Sequence, residues 1–135
     1  MVCVDGTIHL AVQDLAFSFN DAPAATIVKS TDRGRTWTWD RGKPMFGNHV
    51  FTTIWFADFG KDSAWAPDRY VYAYGLDHNW RDSFDDSVPD PTDVYLARVP
   101  RDRVQDRASW DFYAGLGGNR QPRWTRNIAA RAQRG

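Results

Sequence analysis

The sequence contains no glutamate, a single cysteine and no long apolar run, and each shortage removes a class of protein. All 17 acidic residues are aspartate, which favours turns and caps and is a weak helix former. The lone Cys3 excludes an internal disulfide and a cysteine-based zinc motif, and we expect it to be a small buried residue. No apolar stretch approaches the ~18 residues of a membrane span. The first residues lack the basic and apolar segments of a signal peptide.

The charge is balanced and the aromatic content is high. The formal net charge is zero, so we expect no general electrostatic attraction to nucleic acid or to an anionic membrane. The chain holds 7 tryptophans, and 15% of its residues are aromatic. Aromatic residues favour strands, so this composition favours strands and loops over helices.

The most specific local pattern is Ser-x-Asp-x-Gly-x-Thr-Trp, which begins at Ser30. The short polar side chains of Ser30 and Asp32 can bond the backbone N–H groups of a turn. Gly34 supplies the positive φ that a tight hairpin needs. Thr36 suits the start of a return strand, and Trp37 can pack back over the turn. The pattern therefore predicts a β-hairpin turn with a structural role.

Short β-branched and aromatic runs, separated by Pro, Gly, Asp and Asn, predict an all-β fold. The predicted strands are residues 7–13, 25–30, 35–40, 49–59, 70–76, 92–99 and 110–114. Only residues 101–108 and 128–133 look helical, and both segments are short.

A faint internal repeat relates two parts of the chain. In each copy a strand ends in an aspartate, Asp14 or Asp77, and a Ser-Phe-(Asn/Asp)-Asp segment follows at residues 18–21 or 83–86. A proline, another strand, a compact connector and a tryptophan-bearing strand come next. This order fits two successive blades of a β-propeller, in which each blade is a four-stranded antiparallel sheet.

The predicted architecture is a β-propeller fragment of just under two blades within residues 1–135. Residues 5–40 supply the second to fourth strands of one blade, residues 49–126 a complete second blade, and residues 127–135 a tail or truncated connector. We expect the missing first strand and the remaining blades to belong to the same parent chain, because under two blades cannot bury both faces or pair their edges. A self-contained β-sandwich is the alternative.

Blade geometry places the loops that follow the second strands at one end of the molecule, and this end is rich in aspartate. Glycoside cleavage needs one carboxyl to protonate the leaving oxygen and another to attack or to activate water. Asp14 and Asp77 hold equivalent places in the two blades and are the candidate catalytic pair. The alternative is that each caps a loop, as aspartates after strands commonly do.

Other side chains at this end are candidate contacts to a sugar. Trp80 can stack on the apolar face of a sugar ring. The remaining predicted substrate contacts are Asp21, His49, His78 and Asp86. His49 is equally compatible with a hydrogen-bonded histidine in the core. The aspartates of residues 82–93 could hold Ca²⁺ but lack the alternating register of an EF-hand loop, so we expect a solvated loop and predict no metal or cofactor.

Several segments resemble a bacterial family of sialidase-like β-propeller proteins, long described as a domain of unknown function. They are residues 30–37, 56–61, 94–100, 111–115 and 122–126. The first is similar to the Asp box, which joins the third and fourth strands of a blade in those proteins. Some members are glycoside hydrolases, including endo-acting D-arabinofuranosidases. The resemblance implies a propeller with a carbohydrate substrate, but no catalytic motif lies among the matching segments.

The predicted function is glycoside hydrolysis within a glycan-active β-propeller, and two alternatives stay open. The chain could belong to a glycoside hydrolase that uses aspartate carboxylates, or to a non-catalytic propeller that binds carbohydrate or protein. It could also be inactive by itself. A secreted or cell-surface location suits a glycan-active parent protein, but the sequence does not fix a compartment.

Overall fold

The strands of the chain form two antiparallel sheets. The computed structural model describes residues 1–17, 19, 21–78 and 91–132. The smaller sheet has the order β1-β2-β3 and the larger one β4-β5-β6-β7-β8. The strands are β1 Val2–Val4, β2 Thr7–Asp14, β3 Ala24–Ser30, β4 Thr53–Phe56, β5 Tyr70–Leu76, β6 Tyr95–Pro100, β7 Asp111–Leu116 and β8 Pro122–Thr125.

The fold is all-β, as predicted. Within the described residues the helical elements are single 3₁₀ turns at Lys61–Ser63, Arg107–Ser109 and Ile128–Ala130. Ile128–Ala130 lies inside a segment predicted to be helical, and Arg107–Ser109 overlaps the end of the other, which was predicted to end at residue 108. None of the described helical elements has the length and apolar character that a membrane crossing requires.

One apolar core joins the two sheets. Side chains alternate between the two faces of a strand, so Val71 and Ala73 of β5 point into this core. Ile27 of β3 and Phe51, which precedes β4, belong to the same buried cluster. The Phe51 ring lies so close to Gly75 that a Cβ there would come within 2.3 Å of it. Glycine at this strand position therefore lets Phe51 seat between the sheets.

The strand predicted at residues 35–40 is reduced to one bridge. Thr38 exchanges two backbone hydrogen bonds with Lys29, at 2.9 and 3.0 Å. The Gln105 side chain donates to the Thr38 carbonyl at 2.8 Å. The Trp37 indole turns back to donate to a carbonyl of the preceding turn at 3.1 Å. Residues 35–40 are thus fixed by this bridge and by side-chain hydrogen bonds, without a regular ladder.

The inner strand predicted at residues 49–59 is shorter, and it begins only at Thr53. His49 and Phe51 have φ values of 64° and 57°. Such values belong to the left-handed region and cannot continue an extended strand. The chain therefore bends sharply before β4, and this bend lies at the candidate site.

The edge strands β1 and β8 were not predicted. β1 has 3 residues, too few for an alternating pattern, yet it pairs with β2 in the position that sequence analysis placed outside the chain. β8 begins with Pro122, and proline is tolerated as the first residue of an edge strand. The Trp124 ring holds β8 in place, since the Arg98 guanidinium lies 4.1 Å from its centroid.

Residues 58–69 lie at the end of the molecule that holds the turn between β1 and β2. The Gly6 N–H donates to the Asp62 carboxylate at 2.9 Å, and Arg101 pairs with Asp5 at 2.9 Å. β2 and β5 both begin at this end, so it is opposite to the end at which they finish.

Candidate functional site

The loop after β2 and the chain after β5 meet at His49. The His49 N–H donates to the Pro23 carbonyl at 3.1 Å, and the His78 N–H donates to the His49 carbonyl at 2.9 Å. The Thr53 hydroxyl donates to the His78 carbonyl at 2.6 Å, and the Gln13 amide donates to the same hydroxyl. These bonds place the ends of β2 and β5 at the same end of the molecule.

Asp21, His49 and His78 form a compact polar cluster, which we call the histidine cluster. His49 Nε2 lies 2.6 Å from Asp21 Oδ1. The two imidazole rings stack with centroids 4.9 Å apart and 29° between their planes. Asp21 and His49 are half-buried, whereas His78 is exposed. The structure thus brings together three of the predicted substrate contacts from separate parts of the sequence.

Left-handed backbone is concentrated beside this cluster. His49 and His78 have φ values of 64° and 59°, and Asn48 and Phe51 have 54° and 57°. Asparagine and histidine tolerate this region better than most residues, but for a bulky phenylalanine it is an outlier. Such conformations persist only where surrounding contacts hold them, and they concentrate at functional sites.

Asp77 ties together segments that are far apart in the sequence. Its Oδ1 accepts the Phe51 N–H at 2.8 Å, and its Oδ2 accepts the Arg131 guanidinium at 2.5 Å. The Arg131 side chain is only 11% exposed and lies 3.9 Å over the Tyr95 ring. Both oxygens of Asp77 already accept a bond, which suits a positioned anion or a structural tie better than a proton donor.

Asp14, the other predicted catalytic residue, lies in different surroundings. Its exposed carboxylate borders a groove of about 320 Å³, which Trp39 and Arg41 also line. The Arg41 guanidinium lies 4.5 Å from the centroid of the Trp39 ring. In the described part of the chain no hydrogen bond or ion pair joins Asp14 to Asp77. The two aspartates share an end of the molecule but not a contact.

Two further predicted substrate contacts, Trp80 and Asp86, lie outside the described residues, as do residues 82–90 of the predicted aspartate loop.

The turn that begins at Ser30 satisfies its own polar groups. Asp32 accepts the N–H groups of Arg35 and Thr36 at 3.0 and 2.9 Å and the Thr36 hydroxyl at 2.6 Å. The Ser30 hydroxyl accepts the Gly34 N–H and donates to Asp32, both at 2.8 Å. These bonds, with the Thr36 hydroxyl as the largest cause, lower the pKa of Asp32 to about 2. The described contacts give this turn a structural role.

Sequence reasoning missed Gln13, Thr53 and Arg131. Gln13 shares a face of β2 with Thr7, His9 and Ala11, so a polar residue there does not stand out from the sequence. Thr53 reads as an ordinary β-branched strand residue. No pattern connects Arg131 with Asp77, because that contact depends on how the chain returns after β8.

Comparison of the chain with protein-family models, with curated proteins and with solved structures finds no match. The resemblance to sialidase-like propellers therefore stays a prediction. Function has to be inferred from the geometry of the site.

Proposed function

We propose that the chain is part of a carbohydrate-active β-propeller, and that glycans bind where β2 and β5 end. The observation that carries this proposal is the convergence of Asp21, His49 and His78 from separate loops at that end. Sugars are recognised by hydrogen bonds to hydroxyl groups and by aromatic rings against their apolar faces. Asp14 and Trp39 offer both kinds of contact in the neighbouring groove, where Trp39 is 38% exposed.

The outer face of the larger sheet supports the propeller architecture. Trp55 and Tyr74 are cross-strand partners on this face and are 47% and 46% exposed. Leu96 extends the same apolar row across to β6. Contiguous exposed apolar surface of this kind marks an interface. A further sheet packed here would bury it, as the smaller sheet buries the opposite face.

The edge of β2 gives a second line of support. β1 pairs only with residues 7–9, and no described strand pairs with the rest of that edge. A cleft of about 370 Å³ lies between this edge and β4. It is lined by Gln13 and by the buried Thr52, whose hydroxyl has no partner among the described residues. A longer strand beside β2 would pair the edge and fill the cleft.

Glycoside hydrolysis is the reaction that we propose for this site. Asp77 is held by Phe51 and Arg131 and is the candidate to attack or to activate water. Asp14 is exposed beside Trp39 and is the candidate to protonate the leaving oxygen. The histidine cluster would contact sugar hydroxyls at the same end of the molecule.

Non-catalytic glycan binding is the second candidate, and the contacts of Asp77 favour it. Holding Phe51 and Arg131 is reason enough for an aspartate at that position, without any chemistry. Asp14, Trp39 and the histidine cluster would then bind a glycan that is not cleaved.

Reducing-end release from D-arabinan and from a panel of other polysaccharides tests these alternatives. We expect Asp14→Asn and Asp77→Asn each to lower turnover by at least about 100-fold, the scale of lost acid–base catalysis. Arg131→Met removes the tie to Asp77 but keeps the carboxylate, so its loss should be smaller. Asp102→Asn, on a loop away from the site, is the charge-matched control.

Unchanged turnover in both aspartate variants would remove these residues from the mechanism. Saturable glycan binding without reducing-end release would support the second candidate. The assays should use the chain and a longer polypeptide that supplies neighbouring sheets, and failure of both to bind any glycan would contradict the proposed function.

A further inference from the structure

The histidine cluster has the composition of a transition-metal site. Two imidazoles and one carboxylate are a donor set that Zn²⁺ and its neighbours in the first row use in proteins. One donor atom from each of Asp21, His49 and His78 lies within 4.8 Å of the other two. Metal–ligand bonds of about 2.0–2.2 Å in a tetrahedral site separate the donor atoms by about 3.4 Å. We propose that these three residues bind one divalent ion of the zinc class.

The backbone holds the three ligands together without an ion. The His78 N–H bond to the His49 carbonyl, at 2.9 Å, fixes the two histidines side by side. The His49 N–H bond to Pro23, at 3.1 Å, ties them to the loop that carries Asp21. That loop is itself closed by the Ala16 N–H, which donates to the Asp21 carbonyl at 2.9 Å. Ligands placed in advance lose little entropy when the ion binds.

An ordinary ion pair explains only part of the cluster. The 2.6 Å contact between His49 and Asp21 satisfies those two side chains by itself. It gives no reason for the exposed His78 ring to stack on His49. A ring nitrogen of His78 lies within 4.8 Å of the donor atoms of Asp21 and His49, which makes it the third ligand.

The geometry needs only a small adjustment to admit an ion. Asp21 and His49 must separate by less than about 1 Å, and the other two donor pairs, which lie within 4.8 Å, must close by at most about 1.4 Å. Side-chain exposures of 37% for His49 and 46% for Asp21 leave room for this motion. Three protein ligands leave a fourth position for water or a substrate oxygen, as in catalytic zinc sites.

Calorimetric titration of the untagged, metal-free chain with ZnCl₂ tests the proposal. We expect one ion per chain and a rise in Tm on zinc addition. His49→Asn and His78→Asn should each weaken zinc binding at least tenfold and abolish the rise in Tm. Asparagine tolerates the left-handed backbone at both positions, so these variants should keep the fold, which circular dichroism checks. Titration with Co²⁺ should give a visible absorption band that both variants lose.

Asp102→Asn is the control for a general effect of negative charge, and it should leave zinc affinity unchanged. Absence of saturable binding at one ion per chain would overturn the proposal. So would zinc affinity in His78→Asn equal to that of the parent chain. These readouts measure metal binding directly and do not depend on glycan hydrolysis.

Discussion

Asp32 and Asp77 both follow a β-strand, yet they stabilise the fold over very different distances. Among the described residues, the partners of the Asp32 carboxylate all lie within its own turn, from Ser30 to Thr36. Asp77 bonds Phe51 and Arg131, which come from segments far before and after it. The turn could therefore form from its own sequence, whereas the surroundings of Asp77 form only when the segments before β4 and after β8 have come together.

The difference separates structure from candidate function in this molecule. In the turn, the Ser30 and Asp32 side chains bond to the backbone and to each other. The end of the molecule near Asp77 gathers half-buried and exposed polar side chains from several loops around a left-handed backbone. Functional groups commonly lie on loops that a rigid scaffold positions, and this end matches that description.

Removal of the Phe51 ring should give the largest effect. The ring is 0% exposed and packs at the junction of the two sheets. Phe51→Ala should lower the free energy of unfolding by about 4 kcal/mol, as expected when a buried aromatic ring leaves a cavity. Trp37→Ala, in the half-buried turn, should cost clearly less. Urea denaturation measures both, and equal losses would break the contrast between the two regions.

Loss of the Asp77 tie should come second. Asp77→Ala leaves the Arg131 guanidinium, 11% exposed, without its carboxylate. We expect a loss of about 2 kcal/mol in the free energy of unfolding. A double-mutant cycle with Arg131→Met should show coupling between the two residues. Additive losses in that cycle would mean that the ion pair contributes nothing to stability.

Ser30→Ala should have a smaller effect. The Ser30 hydroxyl is buried, with the residue 1% exposed, and it bonds Gly34 and Asp32. Its loss should lower the free energy of unfolding by about 1 kcal/mol. The control is Ser109→Ala, which removes the hydrogen bond from a serine hydroxyl to Asp106 in another turn. A Ser30→Ala chain as stable as its parent would show that the turn does not need this hydroxyl.

Acid should reveal the smallest effect, through Asp32. Its pKa is about 2 in the folded chain, below the ordinary value of 3.8, so the folded state favours the charged form. The resulting stability is present above about pH 4 and is lost as the pH falls towards 2. Asp32→Asn should remove this dependence. Burial lowers the pKa of His9 to about 4, so the folded state favours its neutral form. The resulting loss of stability occurs at higher pH than that of Asp32, as the pH falls from about 6.5 to 4.

The free energy of unfolding should be measured for the parent chain and for Asp32→Asn between pH 4 and pH 2. If it falls equally in both, Asp32 is not the cause of this acid dependence.

The sequence predicts the well-patterned strands closely. Tyr70–Leu76 has the predicted bounds, and β2 and β3 each differ from prediction by one residue. The bonds expected of Ser30 and Asp32 are also present, because each partner lies a few residues away. Sequence patterns predict a strand or a turn well when the contacts that form it are between residues close in the sequence.

Long-range contacts explain what the sequence could not show. Left-handed residues such as Phe51 prevent the predicted strand from beginning before Thr53. They are held by long-range contacts such as the hydrogen bond from the Phe51 N–H to Asp77. The meeting of His49 with Asp21 depends on how the two sheets pack. Sequence analysis assigned both residues to the correct end of the molecule, but not to one cluster.

The most direct test of the glycan-binding end is the response of backbone amides in NMR spectra during titration with D-arabinan fragments and other oligosaccharides. The proposed site predicts that shifts concentrate at residues 14–17 and 21–22, at His49 and at Asp77 and His78. Shifts confined to the opposite end, around Asp5 and Arg101, would contradict it.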